Sequence, residues 1–401
     1  MCFRCWLIIL SLSSFAALAN DKTYFLDRQN GDMLKYRDDQ AMLDLTIKAK
    51  HTDNHLYEND ADKQSTGYLE ISPSIKAQYH NDEHFLQLGL WLKNRKFNDF
   101  SEDDTTDRYG LLKYHHKFRA KQSVILTGAF FNQYLDRGIG LSKGIGSSLL
   151  ERDNRKSNFI NIAHQLGNEN SNATLTSLIG FRNTEYKNRP EVTDGLNLSA
   201  VYSIFDFQYL LSGKSYLTAK LSLEDINHDL PLQQDRLVST ALVGIKWHKT
   251  EFTHFDLSLG TLKIDFDDGS LANKQDFKWD FKFKWSPIEA IELTAISVRT
   301  VDENRQIENS YLISDKLGLN FSYQMNDNIE IYLQNSMDIF DYYFETGNET
   351  EQGFTSDMTV IYKFRSNMSL SLSYFHQKLS SFNITNEYQK NTISAGISFV
   401  L

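Results

Sequence analysis

The segment Arg137-Gly138-Ile139-Gly140-Leu141-Ser142-Lys143-Gly144-Ile145-Gly146 is the nearest approach in this sequence to a phosphate-binding loop. Such a loop cradles phosphate with its N–H groups when a strand leads in, a helix leads out, and Gly-Lys-Ser/Thr ends it. That ending is missing and no helical period follows. The run reads as a flexible outer loop, with inward folding as a constriction left as the alternative. Its basic neighbours Arg152, Arg155 and Lys156 set it apart from the acidic loops elsewhere. Asp265, Asp267 and Asp268 offer oxygen ligands to calcium, but they also compose an ordinary solvated Asp-Gly turn, the simpler reading. His115-His116 and the His254/Asp256 pair have no nucleophile at usable spacing. No catalytic, metal or cofactor site is expected, and the chain does not read as an enzyme.

A different constellation is periodic. Lysines 278, 282 and 284 alternate with aromatic rings in Phe277-Lys278-Trp279-Asp280-Phe281-Lys282-Phe283-Lys284-Trp285. A period of two places the rings on one face of a strand and the charges on the other, whereas a helix would scatter both. The pattern recurs. Leu86, Leu88, Leu90 and Leu92 stand against Gln87, Gly89 and Lys93. Leu317, Leu319, Phe321 and Tyr323 stand against Lys316, Asn320 and Ser322. Strands with one face for lipid and one for water have modest mean hydropathy, which −0.45 matches.

The N-terminus supplies the address. Arg4 precedes an apolar run from Trp6 to Leu18 that ends in Ala17-Leu18-Ala19, the layout of a cleaved signal peptide. The expected divisions are a signal peptide at 1–19, a periplasmic segment or short plug at 20–40, and a transmembrane barrel at 41–401. Cys2 and Cys5 leave with the leader, so no disulfide or thiolate metal site is expected. Removing Arg4 from the 42 basic residues, against 52 acidic ones, leaves a mature charge of −11. That disfavours nucleic acid as a partner.

Links between the alternating runs switch between short and long. Short ones fall near His80–Glu83, Arg119–Gln122, Asn168–Asn172, Ser212–Ser215, Lys249–Phe252, Pro287–Glu289, Asn326–Asn328 and Ser366–Asn367. Longer ones fall at His51–Thr66, Asn98–Asp107, Asp136–Lys156, Glu185–Asp194, Asn227–Gln234, Asp267–Gln275, Asp302–Glu308, Thr346–Gly353 and Ser380–Glu387. Short periplasmic turns and long extracellular loops mark an all-β, antiparallel transmembrane barrel. The strand count is about eighteen, with sixteen as the alternative. Near Gly260 the apolar parity shifts, and a β-bulge is expected there. The last strand ends Gly396-Ile397-Ser398-Phe399-Val400-Leu401. Gly396, Phe399 and Leu401 resemble the assembly signal of outer-membrane barrels, with Leu401 where Phe is usual. The expected location is the Gram-negative outer membrane, with membrane lipid, lipopolysaccharide and the barrel-assembly machinery as partners.

Several short motifs keep their order in the second half. Asp235-Arg236 opens a strand and Lys263-Ile264-Asp265-Phe266-Asp267-Asp268 closes the next. Trp285-Ser286-Pro287 marks a turn, Tyr362-Lys363-Phe364-Arg365 precedes another, and Tyr388 with Asn391 enters the last strand. In these the chain resembles the family Putative beta-barrel porin 2, from about Asp235 to the end and more loosely back to Gly67. The resemblance implies an outer-membrane barrel associated with exopolysaccharide or capsule production, and carries no catalytic residue with it.

The alternation assigns Lys113, Lys117, Lys246, Lys278, Lys282 and Lys284 to the lumen as candidate selectivity residues. Lys48, Lys76, Lys93, Lys220 and Lys363 share that face with Asp44, Glu70, Glu224, Asp280, Glu292, Glu330 and Asp357. The aromatic residues Phe85, Trp91, Tyr332 and Phe375 fall there as well. Such a lumen draws in anions if its lysines stand alone and merely solvates the wall if they pair. Three functions stay open: a channel for exopolysaccharide export with anionic polysaccharide and periplasmic export partners, a diffusion porin for small solutes, or a structural or adhesive barrel with a filled lumen.

Overall fold

A computed structural model describes residues 40–168, 170–230, 235–247, 250, 252–267, 272–302, 310–344 and 347–401. The signal peptide expected at 1–19 and residues 20–39 lie outside the described residues.

Eighteen strands follow one another in chain order. They are β1 (Gln40–Thr52), β2 (Thr66–His80), β3 (His84–Phe97), β4 (Thr105–Arg119), β5 (Gln122–Tyr134) and β6 (Asn154–Leu166). Next come β7 (Ala173–Tyr186), β8 (Leu198–Ser212), β9 (Ser215–His228), β10 (Arg236–Trp247), β11 (Thr253–Phe266) and β12 (Lys274–Ile288). The last are β13 (Ile291–Asp302), β14 (Ser310–Gln324), β15 (Ile329–Phe344), β16 (Gly347–Arg365), β17 (Met368–Ser380) and β18 (Tyr388–Val400). Each strand pairs antiparallel with the next, and β1 pairs with β18 from Asp44↔Val400 to Thr52↔Thr392. The ring is closed, so backbone donors and acceptors within the membrane are satisfied by neighbours. Reciprocal bonds of 3.0 and 2.8 Å between Leu43 and Leu401 fasten its short-turn end.

The two faces separate as the alternation requires. Leu43, Leu69, Leu90, Ile160, Ile179, Val243, Leu317 and Ile393 are exposed on the outside, where lipid covers them. The inward positions between them are polar and largely buried, among them Thr52, Lys76, Arg95, Asp107, Arg182, Thr240 and Thr359. Gly396 faces inward beside Lys48, where a Cβ would come 2.7 Å from the lysine Cγ. Phe399 and Leu401 have the outward parity of Ile393.

Two expectations about connections change. Of the long loop expected at Thr346–Gly353, residues from Gly347 on are strand: β15 and β16 continue pairing to Phe344↔Gly347, forming a long hairpin. Cross-strand pairing with Tyr342 and Tyr343 of β15, not the propensity of Gly347–Gly353, extends the strand. Nor is there a bulge at Gly260, where β11 keeps register with both neighbours, Leu242↔Gly260 and Gly260↔Lys278. The parity shift has another cause, given below. The register irregularities in the ladders sit at short turns, as between Lys117 and Arg119.

Candidate functional site

The lumen wall is built from cross-strand neighbours on the inward face. Many of its charges pair there: Lys50 with Glu70 at 2.9 Å, Lys76 with Asp44 at 3.0 Å, Arg182 with Glu224 at 2.7 Å and Lys284 with Glu292 at 2.6 Å. Lys363 pairs with Glu330. Opposite charges on adjacent strands, or across one strand as for Arg182 and Glu224, stabilise each other and leave little net field. Lys278 is buried, and its Nζ donates to the Arg299 carbonyl at 2.6 Å. Lys113, Lys117, Lys246 and Lys282 differ. They face the lumen in the half nearer the short turns and have no ion pair among the described residues. Trp91 is 4 % exposed and lies over Gly89, where a Cβ would stand 2.2 Å from its ring. That ring packs the wall. Phe85, Tyr332 and Phe375 also have inward parity.

Two outer loops close over the extracellular mouth. The glycine-rich loop at 135–153 folds inward, because its apolar side chains and buried arginines find partners only there. Leu135 and Leu141 pack with Tyr186 and Leu196 on one side. Ile139 joins Tyr57, Leu379, Tyr388 and Phe340 on another. Lys143 pairs with buried Glu351 of β16, and the Ser381 hydroxyl donates to the same carboxylate at 2.5 Å. Since β16 is seven strands from β5 by the shorter way round the ring, the loop crosses the opening. Gly138, at φ +86, passes so close to the 53–65 loop that a Cβ would be 2.0 Å from the Leu56 carbonyl oxygen.

A knot of buried charge fastens these loops. Asp103, fully buried, accepts from Arg137 Nε and Nη2 at 3.1 and 2.7 Å and stands 2.6 Å from His55 Nε2. Arg152 lies 3.2 Å from Asp103 and 2.8 Å from Asp136, as ion pairs without hydrogen-bond alignment. Arg95 of β3 donates to Asp136 at 2.9 Å and Asp107 at 3.3 Å, tying the knot to the wall. Burial pushes the His55 imidazole down, more than its bond to Asp103 raises it, and Arg152 adds to the fall. Burial alone would raise the Asp103 carboxyl, but the His55 bond and the Arg152 charge hold it at about 2. Asp136 would likewise rise on burial, yet Arg152 and Arg95 keep it well below the usual carboxylate range. Tyr57, at φ 58, is a bulky residue in left-handed backbone, a strained state that its surroundings must hold. Its hydroxyl donates to Asp136 at 3.1 Å, its ring meets Tyr388 edge-on at 5.0 Å, and the Lys390 ammonium sits 3.7 Å from its centroid.

The parity shift on β11 belongs to a second obstruction. Leu262, Ile264 and Phe266 face inward and are buried. They pack against Tyr311 and Ile313, with Val301 and Tyr343 alongside, which have the outward parity of their own strands. Residues 311–314 are buried on both faces. The β12–β13 ladder stops at Asp280↔Val298, although β12 continues with β11 to Lys274 and β13 continues with β14 to Asp302. The extracellular ends of β13–β15 are therefore tucked inside the wall of β8–β12. A recess lined by Tyr202, Lys220, Thr240, Leu242, Lys278 and Val301 remains beneath them.

Other sequence candidates are not brought into a site. Asp265 pairs with Lys263 at 2.7 Å, and Asp268 lies outside the described residues. His116 faces outward, stacked on His84 at 4.6 Å, while His115 faces the lumen. Sequence reasoning missed His55, Tyr57, Asp103, Glu351 and Lys390. The available signal was the basic residues Arg137, Lys143 and Arg152 of a glycine-rich loop among acidic ones.

A closed barrel with an apolar exterior, a polar interior and loops across one mouth defines an outer-membrane protein of the porin and transporter class. Within that class, residues 208–400 match the family Putative beta-barrel porin 2, the family the sequence resembles. No curated protein matches the chain. Among solved structures it is similar to the copper transporter OprC, at 9 % identity and TM-score 0.50, covering 91 % of this chain and 81 % of that one. The FrpB iron transporter from Neisseria meningitidis (F5-1 variant) gives 8 %, 0.50, 92 % and 84 %. The outer membrane protein opdK from Pseudomonas aeruginosa gives 9 %, 0.46, 90 % and 99 %. At such identities the likeness is one of fold. The matched family is one of porins, and the copper and iron proteins are transporters, none of them enzymes.

Proposed function

We propose that the protein is an outer-membrane channel that takes anionic cargo from the periplasmic side, the cargo being an exopolysaccharide on its way out of the cell. One observation carries this reading. Lys113, Lys117, Lys246 and Lys282 lack ion pairs among the described residues and face the lumen nearer the short, periplasmic turns, whereas the charge at the opposite mouth is consumed in the loop knot. An unpaired ammonium in a confined, low-dielectric lumen attracts anions, with a reach of about 8 Å at physiological salt. Direction follows from placement, since cargo meets these charges on entering from the periplasm. Sugar acids suit the wall, whose inward rings Phe85 and Phe375 present apolar faces.

The test replaces Lys113, Lys246 and Lys282 by Glu, moving six units of charge within the pore. Channels in planar bilayers are expected to turn from anion- toward cation-selective, and cells to release less polysaccharide at equal protein level. A selectivity change without loss of released polymer would favour a porin for small anionic solutes. A wild-type barrel without measurable conductance would overturn the channel reading in favour of a filled, structural barrel.

A further inference from the structure

Where the strands leave the apolar zone toward the extracellular side, the outer face of the barrel is charged unevenly. On β3–β6 the outward positions carry Lys96, Arg108 and Lys156, with Asn94 and Asn132 among them. Register sets Arg108, Asn132 and Lys156 in one row, through Arg108↔Asn132 and Asn132↔Lys156. With strands about 4.8 Å apart, the two cations stand roughly 10 Å apart with an amide between them. Lys96 and Arg108 are exposed, and neither has a carboxylate partner among the described residues. Lys156 faces Glu185 in register, but Glu185 is already bound by Lys187 and Asn183. The Asn132 Oδ1 is buried beside this row without a hydrogen-bond partner, which leaves the two flanking cations to meet an anion. Leu92 stands in register with Arg108, and exposed Leu90, Phe130 and Ile160 lie on the membrane side of the row.

The rest of the rim is different. Outward positions on β9 and β11 carry Asp225 and Asp265, Lys263 is consumed by Asp265, and on the tucked ends of β13–β15 Arg299 is consumed by Asp315 at 2.6 Å and Asp276 at 3.2 Å. Lys378 of β17 is also exposed on the outward face without a carboxylate partner, but it stands alone; among the described residues only the β3–β6 arc sets several such cations together above an apolar strip.

We propose that this arc clamps the phosphate groups of an outer-leaflet glycolipid of the lipid A type. A guanidinium and an ammonium flanking an amide can share phosphate oxygens through charge-assisted hydrogen bonds. The acyl chains of the same molecule run down over Leu90, Leu92, Phe130 and Ile160. A free phosphate would meet the cations alone and forgo that second contact, so the lipid is the preferred source.

The experiment uses the full-length folded protein in detergent micelles. It is titrated with bisphosphorylated lipid A, fully dephosphorylated lipid A and inorganic phosphate, reading the temperature at which the heat-modifiable gel band is lost. Bisphosphorylated lipid A is expected to raise that temperature, and the other two to leave it near the lipid-free value. In a variant carrying Lys96→Gln, Arg108→Gln and Lys156→Gln, apparent affinity for the lipid is expected to fall at least about tenfold. Equal binding by this variant, or indifference of the wild type to lipid phosphorylation, would overturn the clamp. Equal protection by inorganic phosphate would overturn the lipid as its source. If the triple variant does not fold, Arg108→Gln alone against Arg108→Lys decides, with partial retention expected only when the charge is kept.

Discussion

Replacing Asp103 by Asn keeps the shape of the side chain at the centre of the loop knot and removes its charge. In the folded protein that carboxylate takes two hydrogen bonds from Arg137, one contact from His55 and one ion pair from Arg152, with no exposure of its own. Removing one partner of a buried ion pair costs about 3–5 kcal/mol, because the remaining charge is left uncompensated. Here the lower end applies. Arg137 keeps Glu102 at 3.2 Å and the Leu149 carbonyl, and Arg152 keeps Asp136 at 2.8 Å. About 3 kcal/mol shifts an equilibrium roughly 150-fold. A loop held shut in all but one molecule in a hundred would then be released in roughly half or more. Single-channel recording in planar bilayers should show larger, noisier steps for Asp103→Asn than for wild type, with the barrel still shifting on heating. Glu102→Gln serves as the control: its partner is the same arginine, but it is half exposed, so its conductance should stay near wild type. If Asp103→Asn conducts as the wild type does and melts at the same temperature, the knot does not hold the loop.

Three further outcomes are expected. Because burial lowers the His55 pKa in the closed mouth, the closed form binds protons less readily than a released loop whose histidine is ordinary. Falling pH through about 6.5 therefore favours release, and conductance should rise between pH 7 and 5 in wild type but not in His55→Gln. The contributions of Asp103 and Asp136, held below their ordinary range, persist in that window and fail only under stronger acid. Phe399→Asp places a charge on the outward face of the closing strand near the short turns, at a direct cost of about 1 kcal/mol. Folded protein in the outer membrane should nevertheless fall several-fold on quantitative blotting if the last strand is read during assembly, whereas normal levels would clear it of that role. Ile313→Ala should destabilise the barrel by about 2–5 kcal/mol in denaturant unfolding, since that side chain is buried against the inner wall. A residue simply facing lipid would cost far less.

Strand number and facing were legible because they rest on a local rule. Each residue of Phe277–Trp285 declares its side by parity, and closure needs only that neighbours agree. The long-loop expectation at Thr346–Gly353 failed for a related reason. Polarity distinguishes water from lipid, but a hairpin rising beyond the bilayer meets water on both faces and looks like a loop in composition. The 135–153 loop was illegible in a different way. Its fate depends on Asp103, Glu351 and Tyr388, which are distant in sequence, and no periodicity connects them to Arg137, Lys143 and Ile139.

The inverted parity of Leu262, Ile264 and Phe266 is the more instructive failure. Apolar residues on the lumen side contradict a water-filled pore, and the economical explanation from sequence was a bulge that turns them back toward lipid. A bulge, however, alters one strand, whereas a tucked wall must alter two. The second half of the signature was present in Tyr311 and Ile313, whose neighbours Leu312 and Ser314 are buried as well. A strand segment buried on both faces cannot lie between lipid and a water-filled lumen. It must lie between two protein surfaces, and in a single closed sheet that requires the sheet to overlap itself. The pairing gap above Asp280↔Val298 is where this sheet does so. Inverted parity on one strand, together with double-sided burial three strands away, therefore marks an inward-curled rim, and neither sign suffices alone.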